Sequence, residues 1–409
     1  KKITYLKEGD WGIIKSNHIE IFDCDGEIVD RPIDVLDING DYIGKSGFSH
    51  FMIKEIHEQP TVVGHSLNQY LVQKLKTLEI DLPNGVLEGP LPSRVVMVAC
   101  GTAFYACTIA KYWMEKLTNL PVETDVASEF RYREPPVFKT DLVIFVSQSG
   151  ETADTLASLR YVKGKAGRVV SIVNVMESSL ARESEFVLPI RAGVEIGVAS
   201  TKAFSCQLTV LGVFCIKLAK VLGSISKGEE KNHIEFLLSI PRLIGDVLKK
   251  ESEIRRISKA LVNAKDVLYL GRGALFPLAM EGALKLKEVS YIHAEGYASG
   301  ELKHGPIALI DKKIPVICFC PSDSLFTKNI SNIQEVMARG GKILMVTDPQ
   351  GEKRAPDGIW RKIIMPDLHS IFLPIIYAVP AQLLAYHTAV QKGTDVDQPR
   401  NLAKSVTVE

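Results

Sequence analysis

The sequence predicts an α/β protein made of two copies of one parallel-sheet unit, preceded by a short β-rich piece. Three observations carry that prediction. Unalternated Val/Ile runs lie between helical stretches, the mark of strands buried on both faces. Each run ends in a turn rich in glycine or hydroxyl residues. The runs then recur in the same order about 170 residues further along the chain.

Residues 1–45 form the first segment. Ile13-Ile14-Lys15, His18-Ile19-Glu20-Ile21-Phe22 and Glu27-Ile28-Val29 read as three short strands of an antiparallel meander, with Asp25-Gly26 as a hairpin turn. The segment is too short to bury a core of its own and is expected to be the last piece of another domain. After Lys45-Ser46-Gly47, the run Phe51-Met52-Ile53-Lys54-Glu55-Ile56 starts a helix. Residues 46–235 are expected to form the first α/β domain, with strands at 94–99, 141–146 and 168–173. Residues of roughly 225–260 are helical and rich in Lys and Glu. Residues 236–390 form the second domain, with strands at 266–270, 314–319 and 342–346, and residues 391–409 a C-terminal tail.

Length and composition narrow the function. At about 150 residues per domain, 409 residues make two to three domains. Lys plus Arg is 49 and Asp plus Glu is 48, a net charge of +1, which argues against a general nucleic-acid binder or a polybasic membrane-surface protein. With 46% hydrophobic residues the chain is well packed rather than disordered. The seven cysteines form no C-x-x-C pair and read as buried, reduced thiols of a cytoplasmic protein, with neither a disulfide framework nor a metal site. The chain opens Lys1-Lys2-Ile3 without Met or a hydrophobic leader, so a fragment or processed product without a signal peptide is expected. The most apolar stretch, 371–390, contains Pro374, Pro380, Gln382 and His387 and reads as a core helix, not a membrane span.

Ligands of open parallel sheets bind beyond the carboxyl ends of the strands. There the first copy carries Ser147-Gln148-Ser149-Gly150-Glu151-Thr152, running from a buried strand into a helix. Hydroxyls and amides at a helix N-terminus suit a phosphate, or simply cap the helix. Thr102 ends the neighbouring strand, and Val198-Ala199-Ser200-Thr201-Lys202 opens another helix. The second copy replaces the hydroxyl loop with Pro321-Ser322-Asp323-Ser324. Its helix places Glu281, Lys285 and Glu288 on one face, a pattern that taken alone reads as a solvated ion-pair stripe. His304 sits between glycine and proline punctuation, either acid/base or a surface residue. Lys404 lies in a mildly apolar tail, either a Schiff-base amine or without special role.

Together the motifs Ser147-Gln148-Ser149-Gly150-Glu151-Thr152, Glu301-Leu302-Lys303-His304-Gly305-Pro306 and Asn401-Leu402-Ala403-Lys404-Ser405-Val406-Thr407-Val408-Glu409 resemble the isomerase part of the glucosamine-6-phosphate synthases (glutamine–fructose-6-phosphate aminotransferases). The resemblance covers nearly the whole chain. It implies two tandem sugar isomerase (SIS) domains, each a flavodoxin-like parallel sheet flanked by helices, after the end of a glutaminase domain. It implies that Ser147, Gln148, Ser149 and Thr152 hold the phosphate of fructose 6-phosphate, and that Thr102, Val198, Ser200 and Ala403 contact the sugar. His304 would open the hexose ring, reaching into the site of a neighbouring subunit in a homodimer. Lys404 would form a Schiff base at C2, Glu288 would move the proton between C1 and C2, and Lys285 and Glu281 would support that transfer. The product would be glucosamine 6-phosphate, the nitrogen coming as ammonia from the glutaminase domain, with no metal or organic cofactor, no nucleic acid and no membrane.

Two departures stand out. Ala103 replaces the serine usual after Cys-Gly-Thr, and none of the seven cysteines can be an N-terminal glutaminase nucleophile. Other readings are an aldose–ketose phosphate isomerase or deglycase without glutamine use, and a non-catalytic sugar-phosphate sensor, which would not need to keep Glu288, His304 and Lys404 together.

Overall fold

The computed structural model describes residues 2–7, 9–35, 44–74 and 77–407. The chain divides into two compact units, Lys1–Ser46 and Gly47–Glu409. The first holds β1 (Lys2–Thr4), β2 (Trp11–Lys15), β3 (His18–Phe22) and β4 (Ile33–Val35). Strands β2 and β3 pair antiparallel, as do β1 and β4. The expected three-run meander needs correction. The β2–β3 hairpin turns at Ser16-Asn17, and residues 27–29 contribute only a single bridge, Ile28 to Phe22. Asp25-Gly26 does turn the chain, but the Asp23 carboxylate accepts from the amides of Asp25 and Glu27, occupying groups that a ladder would use.

The second unit begins with α1 (Phe51–Tyr70) and a hairpin of β5 (Leu71–Lys74) with β6 (Thr77–Ile80). The first repeat follows: β7 (Arg94–Ala99), α2 (Gly101–Thr118), β8 (Val122–Val126), α3 (Ala127–Arg133), β9 (Asp141–Ser147), α4 (Ala153–Val162), β10 (Arg168–Val173), α5 (Ser179–Glu183), β11 (Phe186–Pro189) and α6 (Lys202–Val221). The connecting helices are α7 (Lys227–Leu248), opened by a Ser226–Glu229 capping box, and α8 (Glu251–Ser258). The second repeat comprises β12 (Asp266–Gly271), α9 (Leu275–Ser290), β13 (His293–Ala298), β14 (Pro315–Phe319), α10 (Phe326–Ala338), β15 (Lys342–Thr347), α11 (Pro349–Lys353), β16 (Arg361–Ile364) and α12 (Leu373–Lys392).

Both sheets are parallel, five-stranded and wound alike. Their orders are β11-β10-β9-β7-β8 and β13-β12-β14-β15-β16, so within each repeat the order is 2-1-3-4-5, the flavodoxin-like arrangement. The switch point of such a sheet lies between its first and third strands, here β7/β9 and β12/β14.

Packing explains the uninterrupted apolar runs. Along β7, Val95, Met97 and Ala99 face the large central core, while Val96 and Val98 face a second cluster with Phe130 and Leu159. In the second repeat Tyr269 points to the central core, and Leu268 and Leu270 to a third cluster with Phe326 and Ile333. With both faces covered, every position of a central strand must be apolar. The helices α6 and α12 run through the middle. Both are long and apolar enough to cross a membrane, yet 83% and 94% of their apolar windows are buried within the protein, as the polar residues in 371–390 led us to expect for α12. All seven cysteines are free thiols; five are buried, Cys24 is exposed and Cys100 half-buried.

Candidate active site

The β7/β9 switch point opens into a cavity of about 310 Å³. From the first strand come Thr102 and Ala103 on the opening turn of α2; from the third come Ser147, Gln148, Ser149 and Thr152. Val198 and Ser200, ahead of α6, form another side, and Lys285 and Glu288 on α9 of the second repeat another. Ala403 and Lys404 of the tail complete it. Every residue expected to bind substrate borders this one cavity, together with three of the five expected catalytic residues, Lys285, Glu288 and Lys404.

The hydroxyl loop is held by its own groups. Ser147 Oγ accepts from the Gly150 amide at 3.0 Å, and Ser149 Oγ accepts from the Glu151 amide at 3.2 Å. Gly150 has φ +66°, and a Cβ there would stand 2.0 Å from Ser178 Oγ, so the turn requires glycine. Two helix N-termini, those of α2 and α4, open at the cavity, and their dipoles favour an anion there.

The stripe on α9 is not solvated. Glu281 and Lys285 are 2% and 1% exposed, because α9 packs against α12 and against α2 of the first repeat. Lys285 Nζ lies 2.6 Å from Glu288 Oε2 and 3.5 Å from Glu281 Oε1. It also donates to Thr102 Oγ1 at 3.0 Å, and Thr102 donates to Glu281 Oε1 at 3.3 Å. Glu281 thus supports the cavity wall from behind and does not line it. Burial pushes its carboxyl up to about 8, with Lys285 acting in the other direction. Lys285 is itself held charged: burial opposes this, but the two carboxylates outweigh it.

His304 is exposed on a 3₁₀ turn, Glu301–His304, and does not border the cavity of its own chain. The tail, by contrast, is fastened at several points. The Asp397 carboxylate caps α1 by accepting from the amides of Phe51 and Met52, both at 2.9 Å. The Asp397 carbonyl accepts from the Val198 amide, and the Val406 carbonyl from the Ala153 amide at the start of α4. Lys404 Nζ donates to Glu195 Oε2 at 2.5 Å and to the Gly197 carbonyl at 2.7 Å. Val408 and Glu409, the end of the tail motif, lie outside the described residues.

Comparison with known proteins agrees with this geometry. The SIS domain family matches residues 92–217 and 260–392. A glutamine–fructose-6-phosphate aminotransferase [isomerizing] of Bradyrhizobium diazoefficiens is 55% identical over the whole chain, which spans 67% of that relative's length. One of Rhizobium meliloti is 52% identical with the same coverage. The chain belongs to the glutamine–fructose-6-phosphate aminotransferase (isomerizing) family. The solved C-terminal domain of glucosamine-fructose-6-phosphate aminotransferase from Francisella tularensis, 44% identical, matches with a TM-score of 0.83 over 87% of this chain and all of that one. Within the aminotransferase family, this chain is the part that carries the two SIS domains.

Two carboxylates beside the candidate site have no counterpart in the sequence reading. Glu195 is fully buried, pairs with Lys404 and accepts from the amides of Thr201 and Ala203, both at 3.0 Å. Glu55, on α1, accepts from the amides of Ile196 and Gly197. The signal available for Glu195 is an acid bracketed by glycines, Gly193-Val194-Glu195-Ile196-Gly197, just ahead of a helix. Glu55 carries none, since it sits among ordinary helix residues.

The second repeat shows why it lacks an equivalent hydroxyl loop. Sheet register pairs Val98 with Phe145 and Leu270 with Cys318, which makes Cys320 the counterpart of Ser147 and Asp323 that of Gly150. Asp323 uses its own carboxylate to accept from the Leu325 amide at 2.8 Å, and Asp348 accepts from the Ser322 amide. Pro321 has no amide hydrogen to offer. The loop therefore already carries carboxylates where the first repeat leaves room for an anion.

Proposed function

We propose that this chain is the isomerising module that converts fructose 6-phosphate to glucosamine 6-phosphate, using ammonia supplied by a glutaminase domain to which residues 1–45 would be the junction. The observation that carries the reading is that an amine, Lys404, a carboxylate, Glu288, and a hydroxyl-lined double helix N-terminus border one cavity of hexose-phosphate size. In this reading, residues 46–235 and 236–390 are the two SIS domains, and 391–409 is the catalytic tail.

The chemistry follows from the residue types. Ser147, Gln148, Ser149 and Thr152 hold the phosphate, and Thr102, Val198, Ser200 and Ala403 bracket the sugar. A cyclic ketose has no free carbonyl, so His304 of a second copy moves the proton that opens the ring. The Lys404 nitrogen then attacks C2 and, with loss of the carbonyl oxygen as water, forms an imine. The imine is a better electrophile and electron sink than the ketone. Ammonia adds at C2 and the C2–Lys404 bond breaks, freeing the lysine amine and leaving the imine on the sugar. Glu288 then takes a proton from C1 and returns it at C2 to give the 2-amino aldose. Lys285, bonded to Glu288, fixes the position of that carboxylate, and Glu281 holds Lys285 and Thr102.

Formation of glucosamine 6-phosphate from fructose 6-phosphate and ammonium tests the reading. Lys404→Ala and Glu288→Gln should each lower turnover by at least a hundred-fold, in the range of a lost acid/base or nucleophilic group. Equal activity in both variants and the parent would reject the assignment. Tight binding without turnover in the parent would favour a sensor instead.

A further inference from the structure

We propose that Glu195 is the base that accepts the Lys404 proton as its nitrogen attacks C2, and that Glu55 is the positioning residue that sets this carboxylate's basicity. The proposal rests on the reading above. Glu195 Oε2 is 2.5 Å from Lys404 Nζ, its side chain has no exposure, and its other oxygen receives the amides of Thr201 and Ala203 at the start of α6. A carboxylate so fixed contacts the reacting nitrogen from the side away from solvent. The other carboxylate at the cavity, Glu288, is engaged with Lys285.

The proton balance closes within the site. The Lys404 ammonium passes one proton to Glu195, leaving a neutral amine and a carboxylic acid. The nitrogen lone pair forms the bond to C2 while the carbonyl π pair moves onto oxygen. That oxygen leaves as water with two protons, the one from Glu195 and a second from the nitrogen. The product is the protonated imine, and Glu195 is again a carboxylate.

Glu55 completes the device. Its Oε1 accepts from the amides of Ile196, at 2.5 Å, and Gly197, at 3.2 Å, tying down the segment whose carboxylate and carbonyl hold Lys404. Its Oε2 is buried without a hydrogen-bond partner, and a Cβ on Gly197 would approach it to 2.9 Å. Burial first, and then repulsion from Glu195, pushes the Glu55 carboxyl up to about 7. Burial works against the charge of Glu195 as well, but Lys404 and the amides of Ala203 and Thr201 outweigh it and keep it ionised. The other groups facing the pair are Lys285 from α9 and, from α6, Cys206 and Lys202, the last bonded to Glu58 at 2.7 Å. When Glu55 ionises, a second negative charge beside Glu195 makes that carboxylate a stronger base. Imine formation should therefore rise as pH passes through the Glu55 transition.

The test is the rate of borohydride trapping of fructose 6-phosphate on Lys404, read by mass spectrometry across pH, with sugar-phosphate affinity measured on the same proteins. In the parent, trapping should rise across about pH 7. Glu195→Gln should trap about a hundred-fold more slowly at neutral pH. Glu195→Asp should recover part of the rate. Glu55→Gln should trap at the parent's low-pH rate at every pH, without the rise. Affinity for fructose 6-phosphate should stay within about threefold throughout; if Glu195→Gln loses it, Glu195→Asp carries the test by its intermediate rate. Parent-like trapping and pH profile in the Glu195 variant overturns the base, and a retained rise in Glu55→Gln overturns the positioning role. No trapping in the parent would instead overturn the imine reading itself, and the proposal with it.

Discussion

Lys285 has one positive charge and two carboxylates competing for it. At 2.6 Å Glu288 takes the larger share, and Glu281, at 3.5 Å and 2% exposed, is left undercompensated in a dry place. A carboxyl whose folded pKa lies above its unfolded value favours the folded state when protonated. Its contribution is present below the unfolded value, near 4.5, and is lost as pH rises through about 8. Glu281→Gln should therefore melt close to the parent at pH 5 and above it at pH 9, by a few kcal/mol at about 1.4 kcal/mol per unit of displacement. Melting temperatures across pH check this; an unchanged difference at both ends would sink it. At Ala103, which borders the cavity on the first turn of α2, a hydroxyl is within the chemistry of its surroundings. Ala103→Ser should tighten fructose 6-phosphate binding by about 0.5–1.5 kcal/mol, the worth of one hydrogen bond, as read by calorimetry. At this scale Ser147, Lys404 and Ala103 are legible because short motifs carry them, whereas Glu55 and Glu195 meet only through packing of α1 against the segment before α6.

Strands show the same division between local and tertiary information. The six central strands, β7, β9, β10, β12, β14 and β15, are legible as apolar runs because both their faces are buried. The other four, β8, β11, β13 and β16, are the edges of the two sheets, and of these only β11 is apolar throughout. There one side of the backbone is unpaired, and in β8 and β13 Glu123, Asp125, His293 and Glu295 interrupt the Val/Ile run. Helix ends behave likewise. His50 gives α1 no side-chain cap, and the cap comes instead from Asp397 in the tail. Loss of a carboxylate cap costs about 1–2 kcal/mol. Asp397→Ala should lower stability by that amount and also slow trapping on Lys404, since the side-chain cap anchors the tail segment whose carbonyl holds Val198 at the cavity. Asp397→Asn, which keeps an acceptor, should recover most of the stability in denaturant titrations. A loss of stability with full trapping activity would separate the cap from the site.

The whole molecule divides labour between two copies of one fold. The first repeat keeps an open anion cradle; the second fills its own loop with Asp323 and Asp348 and lends α9 to its neighbour's cavity. The tail then joins them, since Lys404 reaches Glu195 and Val406 meets α4. One expected member remains apart: His304 is exposed and borders no part of its own chain's cavity, although every other expected catalytic group is at that cavity or directly bonded behind it. A ring-opening histidine must touch the sugar, so in the proposed mechanism it comes from a second copy. This makes a specific forecast. His304→Ala and Lys404→Ala chains should each be inactive alone, because each lacks a group in every site. Mixed and allowed to exchange subunits, half-and-half dimers contain one site with both defects and one with neither. A statistical mixture holds about half such dimers, so about one quarter of parental glucosamine 6-phosphate formation from fructose 6-phosphate and ammonium should return, with parental KM. If His304 acts within its own chain, every site stays defective and no activity returns on mixing, while exchange itself is checked by mass spectrometry of differently tagged chains.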